Sequence, residues 1–244
     1  FVDKIVDAAD IKDQNVLEIG PGIGTITYEM AKIAKKVVAI EIDQTLIPIL
    51  EENLSEFENA KVIKQDILKT DLKGLVDNEF NGESFKVVSN LPYYITTPII
   101  EMLITTGLPC DDMTIMVQKE VAERMVADQR SKEYSSLSVF IKFYTEAEVI
   151  TNLPKSVFMP QPKIDSTILN LKLRIYDENV NQDLLFKLVR AGFNKRRKTI
   201  LNSLSDVVEK DRLKEAFAKV NLAENLRAEN LSIDDFINLT NELS

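Results

Sequence analysis

Short β-branched runs alternate with longer amphipathic segments along most of the chain. Compact apolar runs indicate strands, and apolar residues three or four apart indicate helices. Seven strands are predicted, near Val16 to Gly20, Lys36 to Glu41, Lys61 to Gln65, Phe85 to Ser89, Met113 to Gln118, Glu146 to Thr151 and Ser166 to Arg174. Helical patterns such as TITYEMAKIA and TPIIEMLITTG separate the first five strands. This alternation predicts a mostly parallel sheet covered by helices, with the last two strands as an antiparallel edge.

The pattern changes at the polar stretch from Tyr176 to Gln182, after which no segment is typical of a strand. Helices are predicted near Asp183 to Phe193, Arg196 to Leu204, Asp211 to Lys219 and Ile233 to Leu243. The sequence therefore predicts an α/β, Rossmann-like domain in residues 1–177 and a small all-helical C-terminal domain in residues 178–244.

Composition narrows the function classes. The 244 residues are 45% hydrophobic, which is enough to bury a core, and no apolar run reaches the roughly 18 residues of a membrane span. We expect a cytoplasmic protein, because no signal-peptide pattern is present and the single cysteine, Cys110, cannot form an internal disulfide. Histidine is absent, which excludes a Ser-His-Asp triad and any metal site that needs imidazole.

The first predicted strand runs into a glycine turn, VLEIGPGIGTIT, with Gly20, Gly22 and Gly24 spaced G-x-G-x-G. Glycines at a strand-to-helix turn let the backbone approach a ligand, although such turns also occur for packing reasons. A dinucleotide site prefers G-x-G-x-x-G, and no phosphate-binding lysine follows this turn. The turn therefore favours a cofactor without phosphates.

Two acids follow at the ends of the next two strands. Glu41 lies about 20 residues beyond the glycine turn, where an acid commonly accepts hydrogen bonds from ribose hydroxyls. Asp66 ends the third strand and can accept from the amine of an adenine. Each acid alone is also compatible with a helix cap or a solvated loop. Together with the glycine turn they predict a pocket for an adenosine ligand without phosphates, and S-adenosylmethionine is the common cofactor of that description.

The fourth strand ends in SNLPYYITTP, an unusual cluster of an amide, a proline and two aromatics. The Asn90 side-chain oxygen and the Leu91 carbonyl can accept the two N–H bonds of an adenine amine, while Pro92 fixes φ near −65° and so shapes the turn. Tyr93 can stack on the ring of a base taken out of a helix or lying in a loop. Packing against helices is the alternative for both tyrosines, and it is the interpretation we prefer for Tyr94.

The motifs VLEIGPGIGTIT, VVAIEID, KQDIL and NLPYYITTP resemble, in order, those of the ribosomal RNA adenine dimethyltransferases. The resemblance continues through VFMPQPKIDSTILNL, FNKRRKTILNSL and RAENLSIDDFINL, and so covers nearly the whole chain. It implies a Rossmann-like, S-adenosylmethionine-dependent methyltransferase. The ending and the VFMPQPKIDS segment resemble the housekeeping branch, which dimethylates two adjacent adenines in a hairpin loop near the 3′ end of 16S rRNA, more than the branch that methylates a large-subunit adenine and confers macrolide resistance.

The resemblance also implies roles for individual residues. The predicted cofactor site comprises Gly20, Gly22, Gly24, Glu41, Ile42, Asp66, Ile67 and Asn90, and the predicted catalytic group comprises Asn90, Leu91, Pro92, Tyr93 and Phe158. Phe158 would form the second wall of a base sandwich opposite Tyr93, whereas from the residues alone it could equally plug the core. Family members also carry a segment around GQNFL that lies over the cofactor; this sequence starts at Phe1, and we expect it to be a portion of a longer chain.

A basic segment predicts where RNA would bind. Residues 184–205 contain no acid and six cations, which are Lys187, Arg190, Lys195, Arg196, Arg197 and Lys198. Such a segment can track phosphates even on a chain of net charge −9, although a solvated helix start is the alternative. The expected partner is 16S rRNA in an assembling small subunit, bound in a cleft to which the helical domain contributes, with a monomeric protein and without metal or membrane.

Two other functions remain open from the sequence. One is a binding role without chemistry, as a ribosome-assembly or transcription factor. The other is methylation of adenine in DNA, because the Asn-x-Pro-Tyr chemistry is shared with DNA adenine methyltransferases.

Overall fold

The computed structural model describes residues 1–159, 161–174, 179–195 and 197–244. The chain forms two compact units. The first contains residues 1–122 and 146–173, and the second contains residues 123–145 and 174–244. None of the helices within the described ranges is long and apolar enough to cross a membrane.

The first unit is built on a seven-stranded sheet. Its strands are β1 (Asn15–Ile19), β2 (Lys36–Glu41), β3 (Ala60–Lys64), β4 (Phe85–Asn90), β5 (Cys110–Gln118), β6 (Thr145–Leu153) and β7 (Ser166–Leu173). The spatial order is β3-β2-β1-β4-β5-β7-β6. The first five strands pair in parallel, and β7 pairs antiparallel with β5. The predicted α/β, Rossmann-like fold and its antiparallel edge are confirmed.

Helices connect the parallel strands. These connecting helices are α2 (Thr25–Ala31), α3 (Ile47–Asn53), α4 (Leu72–Phe80) and α5 (Thr96–Thr105). α1 (Val2–Ala9) precedes β1, and α6 (Lys119–Val126) follows β5. β1 and β2 are buried along nearly their whole length, as expected for parallel strands covered on both faces. Cys110 is buried, and burial raises the pKa of its thiol.

The strand order fixes where a ligand can bind. The strand order reverses at β1. The chain continues from β1 to β2 on one side of β1, whereas β4 lies on its other side. In open α/β sheets, ligands bind beyond the carboxyl ends of the strands at this kind of reversal. The glycine turn after β1 and the NLPYY motif after β4 therefore emerge side by side.

The second unit is helical in the part of the chain that the structure describes. It contains α7 (Ser136–Tyr144), α8 (Gln182–Asn194), α9 (Ile200–Leu204), α10 (Lys210–Lys219) and α11 (Ile233–Leu243). The helix predicted from Arg196 to Leu204 begins later, because the Thr199 hydroxyl accepts a hydrogen bond from the Asn202 amide and caps the helix there. Arg196 and residues 176–178 of the predicted linker lie outside the described residues.

The compact units differ from the predicted domains 1–177 and 178–244 in two respects, which are the boundary, now between Leu173 and Arg174, and the placement of residues 123–145. Residues 123–145 belong with the C-terminal helices although the sequence pattern placed them in the first domain. The physical reason is burial: Tyr134 is 1% exposed, and its hydroxyl donates to the Leu231 carbonyl at 3.0 Å. Such a long-range contact leaves no local signal in the sequence.

Candidate active site

The turn after β1 needs glycine at defined positions. Gly20 and Gly24 have φ of +69° and +88°, values that L side chains rarely adopt. A Cβ on Gly24 would lie 2.6 Å from Cδ1 of the fully buried Leu50, and one on Gly20 would lie 3.3 Å from Cγ of Pro92. The glycine turn therefore packs directly against the NLPYY motif, and Gly24 begins α2 as its N-cap.

Glu41, at the end of β2, binds the backbone of the glycine turn. One carboxylate oxygen accepts from the Gly22 amide at 3.1 Å, and the other accepts from the Ile42 and Asp43 amides at 2.8 Å each. The side chain is 5% exposed, so it is not a solvated loop acid. Glu41 thus links the first and second strand ends, and it also lines the cavity described below.

A second buried acid, Glu18, lies in β1, just before the glycine turn. Its side chain is 1% exposed, and the Thr27 hydroxyl donates to it at 2.6 Å. Burial raises the pKa of Glu18 to about 8; the Thr27 hydrogen bond opposes this shift, and the nearby charge of Glu41 adds to it. Burial therefore favours the protonated form of Glu18 near neutral pH, and it is Glu41, not Glu18, that lines the cavity described below.

Asp66 serves as a cap and also faces the cavity. It is the N-cap of a short 3₁₀ helix, Ile67–Lys69, and its carboxylate accepts from the Leu68 amide at 3.1 Å. Its other oxygen lies 3.5 Å from the Lys69 ammonium. Asp66 is therefore a helix cap, which the sequence had left open as an alternative. The cap holds its carboxylate at the cavity edge.

These elements enclose a cavity of about 450 Å³. It is lined by Ile19, Gly20, Gly22, Ile40, Glu41, Ile42, Asp43, Leu46, Gln65, Asp66, Ile67, Leu68, Pro92, Tyr94 and Ile95. Six of the predicted cofactor residues are in this lining, whereas Gly24 and Asn90 are not. Gln65 and Leu46 are among the lining residues that were not predicted, although Gln65 directly precedes Asp66 in the sequence. Among the residues that the structure describes, the lining carries carboxylates and no cation, which fits an adenosine ligand without phosphates.

A second, smaller cavity of about 290 Å³ lies at the end of β4. It is lined by Asn90, Leu91, Pro92, Tyr93, Phe158 and Pro162. Pro92 lines both cavities, so the two are neighbours. The structure thus brings together all five residues of the predicted catalytic group.

Backbone hydrogen bonds fix the NLPYY turn. The Leu91 amide donates to the Met116 carbonyl of β5 at 3.2 Å, and the Pro92 carbonyl accepts from the Ile95 amide and the Thr96 hydroxyl. Asn90 is exposed, and its side chain makes no hydrogen bond to any of the residues that the structure describes. Its amide is therefore held by a rigid strand end and open to a ligand.

The two predicted base walls are held differently. The Tyr93 hydroxyl lies 3.0 Å from the buried Ser166 hydroxyl. Phe158 packs against the core cluster beside α1, and its ring centroid lies 5.0 Å from that of Phe1. Phe158 therefore combines both readings that the sequence left open, since it plugs part of the core and lines the smaller cavity.

Tyr94 corrects an interpretation made from the sequence. Packing against helices was preferred for this residue, but its side chain is 81% exposed and lines the larger cavity. The turn that directs Tyr93 towards Ser166 leaves Tyr94 at the cavity rim. No periodicity signals this, because the two residues lie in an irregular turn.

The profile of one protein family, described as ribosomal RNA adenine dimethylase, matches residues 1–244. The chain belongs to the ribosomal RNA adenine dimethylase family. A curated relative from Clostridioides difficile (strain 630), ribosomal RNA small subunit methyltransferase A, is 47% identical over 247 residues, covering 99% of this chain and 85% of the relative.

Two solved structures show the same fold over 99% of this chain. The crystal structure of a dimethyladenosine transferase from Plasmodium falciparum has a TM-score of 0.83, 30% identity and 94% coverage of that chain. The crystal structure of 23S rRNA methyltransferase ErmE has a TM-score of 0.74, 26% identity and 96% coverage of that chain. The resemblance inferred from the motifs is confirmed.

As a member of the ribosomal RNA adenine dimethylase family, the chain is an S-adenosylmethionine-dependent rRNA methyltransferase, as predicted. The larger cavity fits this cofactor. Its volume is in the range of small-molecule sites, and Glu41 and Asp66 present carboxylates at the two strand ends where ribose and adenine recognition is expected.

The basic segment of this family member lies in the second unit. Lys187 and Arg190 are exposed on α8, and a cavity of about 650 Å³ is lined by Phe193, Asn194, Lys195, Arg197, Lys198 and Asn202. Lys195 forms an ion pair with Asp206, directly after the acid-free stretch, so its charge is partly neutralised. The predicted cation at Arg196 lies outside the described residues.

Proposed function

We propose that this protein transfers methyl groups from S-adenosylmethionine to the exocyclic amines of two adjacent adenines near the 3′ end of 16S rRNA, dimethylating each. The observation that carries the proposal is the shared Pro92, which joins the cavity suited to the cofactor to the cavity lined by Asn90, Tyr93 and Phe158. Donor and acceptor can then be held in line, which is the main requirement of methyl transfer.

The NLPYY turn would hold the amine. The Asn90 side-chain oxygen and the Leu91 carbonyl accept its two N–H bonds, which draws the nitrogen towards a tetrahedral geometry and frees its lone pair. When bound, the cofactor supplies an electrophilic methyl group on a sulfonium. The amine loses one proton for each methyl group gained, and the proton passes to water. The site therefore needs no histidine base.

The aromatic residues would hold the ring of the base. Tyr93 stacks on one face and Phe158 on the other, and a stacked base contributes about 1 to 3 kcal/mol. Such a pocket accepts only an unpaired base, so the target adenine lies in a loop or is taken out of its stack. The basic segment on α8 and after it would bind phosphates and supply the affinity for RNA.

The small subunit is favoured as the substrate over the large subunit. The curated relative at 47% identity is a ribosomal RNA small subunit methyltransferase, whereas the large-subunit enzyme among the solved structures is 26% identical. A protein that modifies 16S rRNA during assembly would act in the cytoplasm, where subunits are assembled. We further propose that it acts as a monomer, because each predicted catalytic residue comes from one unit of one chain.

Radiolabelled methyl transfer tests this function. The full-length protein would be incubated with tritiated S-adenosylmethionine and small subunits purified from a strain that lacks the modification, with large subunits and duplex DNA as alternative substrates. We expect label in two adjacent adenines of 16S rRNA. Label confined to large subunits or to DNA would overturn the proposal, and so would absence of transfer to all three substrates.

Asn90→Ala tests the role of the turn. This variant should lose transfer while its affinity for small-subunit RNA stays within about twofold, because Asn90 contacts the amine and not the phosphates. Asn238→Ala, at an exposed position of α11, is the matched control and should retain full activity. Retained turnover in Asn90→Ala would refute the proposed role of this side chain.

A further inference from the structure

The hydroxyl of Tyr93 is anchored by a residue that the reaction itself does not use. Ser166 opens β7, is 0% exposed, and lies 3.0 Å from the Tyr93 hydroxyl. A tyrosine ring at a cavity wall can otherwise rotate about its side-chain bonds. The hydrogen bond to a fully buried hydroxyl therefore fixes the tilt of the ring.

Asp165, the residue before Ser166, holds the turn that leads to the other aromatic wall, Phe158. The Asp165 carboxylate accepts from the Lys155 amide at 2.9 Å. Lys155 opens the short 3₁₀ helix Lys155–Val157, and Phe158 is the C-cap of that helix. Asp165 therefore determines where the turn begins, and the turn determines where the Phe158 ring lies.

Both anchors are adjacent in the chain and are themselves fixed by the sheet. Ser166 is in register with Gln118 of β5, and the Asp165 carbonyl accepts from the Lys119 amide at 3.0 Å. β5 also pairs in register with the β4 residue Asn90. β5 therefore fixes the position of the amine-binding residue Asn90 and also the positions of the two anchors that hold the aromatic walls.

We propose that Asp165 and Ser166 are positioning residues that set the orientation of the two base walls, Ser166 through the Tyr93 hydroxyl and Asp165 through the turn before Phe158. This rests on the proposed function, in which Tyr93 and Phe158 sandwich the target adenine. Neither residue lines the smaller cavity, so each acts through the aromatic residue that it holds.

A double-mutant cycle tests the Ser166 anchor. Ser166→Ala and Tyr93→Phe each remove one side of the same hydrogen bond, and each should lower kcat by about tenfold, because small misplacements of a reacting group have effects of this size or larger. The double variant should be no slower than the slower single variant, since the bond can be lost only once. Cofactor affinity, measured by calorimetry, should stay unchanged.

Thr167→Val is the matched control for the Ser166 substitution. Thr167 is the next residue of β7, is 2% exposed, and donates to Asn152 at 2.7 Å. This variant should lose a similar amount of thermal stability and keep its kcat. Equal kcat values for Ser166→Ala and the wild type, or multiplicative losses in the double variant, would overturn the proposal for Ser166. If Ser166→Ala does not fold, the effect of Tyr93→Phe on kcat decides the matter.

Asp165 is tested by rescue. Asp165→Ala removes the acceptor for the Lys155 amide and should lower kcat, whereas Asp165→Asn keeps an oxygen acceptor and should restore most of it. Equal kcat in Asp165→Ala and the wild type would show that the turn before Phe158 does not need this contact. Equal losses in both variants would show that charge, and not the hydrogen bond, is what matters.

A fluorescence measurement separates this inference from the proposed function. With 2-aminopurine at the target position of a small-subunit hairpin RNA, stacking on aromatic rings quenches emission, so the Ser166→Ala complex should be brighter than the wild-type complex. Unchanged emission together with unchanged kcat would refute the positioning role alone. Failure of the wild type to transfer methyl groups would refute the proposed function instead.

Discussion

The Thr27 hydroxyl donates a 2.6 Å hydrogen bond to the Glu18 carboxyl, which is 1% exposed beneath the glycine turn. Burial raises the pKa of this carboxyl from 4.5 to about 8. Between these two values the native state holds a proton that the unfolded state releases, so the contribution of Glu18 to the free energy of unfolding falls as pH rises. Each unit of pKa shift corresponds to about 1.4 kcal/mol.

Glu18→Gln should remove this pH dependence. From pH 5 to pH 8, the free energy of unfolding of the wild type should fall relative to that of the variant by on the order of 2 to 4 kcal/mol. Urea denaturation at each pH measures both values. Glu51→Gln, at an exposed position of α3, is the control. Parallel stability curves for wild type and Glu18→Gln would contradict the raised pKa.

Glu41→Gln should weaken cofactor binding. Its two oxygens accept from three backbone amides, and a glutamine amide would replace one acceptor with a donor. Loss of a buried hydrogen bond costs about 1 to 3 kcal/mol, so we expect the Kd for S-adenosylmethionine to rise by about tenfold or more in calorimetry. Asp71→Ala, which removes the N-cap of α4, should lower Tm without changing this Kd.

Gly24→Ala should be more destabilising than Gly22→Ala. Both positions have positive φ, but a Cβ on Gly22 meets nothing within 4 Å, whereas one on Gly24 meets Leu50 at 2.6 Å. The backbone penalty alone costs roughly 1 to 2 kcal/mol, and the contact with Leu50 adds to it only at Gly24. Thermal denaturation measures the difference. Equal losses of Tm would show that Leu50 moves aside freely.

Arg197→Ala and Lys198→Ala should each reduce the salt dependence of RNA binding. Each neutralised phosphate contributes about one unit to the slope of log affinity against log salt. Lys195→Ala should have a smaller effect, because Lys195 is paired with Asp206. Lys61→Ala, whose ammonium is paired with Glu79 in the sheet unit, is the control. An unchanged slope in Arg197→Ala and Lys198→Ala would place the RNA elsewhere.

The fold could be predicted from the sequence because its signals are local. Alternating strands and helices, and motifs at the ends of successive strands, specify a parallel sheet with a ligand site at one edge. The seven strands accordingly lie within a few residues of their predicted bounds. What the pattern did not reveal depends on long-range contacts, such as the bond from Tyr134 to Leu231 that assigns residues 123–145 to the helical unit.

The residues of the candidate site could be predicted from the sequence, but the contacts that hold these residues in place could not. Glu41 and Asp66 follow from their positions at strand ends. The raised pKa of Glu18 and the anchors of Tyr93 and Phe158 do not, because each depends on a neighbour distant in sequence. Tyr94 was wrongly interpreted because an irregular turn carries no periodicity.

The exposure of Tyr94 gives this protein a natural position for an optical reporter. Its ring is 81% exposed at the rim of the cavity of about 450 Å³ that fits the cofactor, and the 244 residues contain no tryptophan. A Tyr94→Trp variant would therefore carry, within these residues, a single indole beside the cofactor cavity, and this indole can be excited apart from the tyrosines that remain. Its emission would follow cofactor arrival and departure in real time, without a label and without RNA.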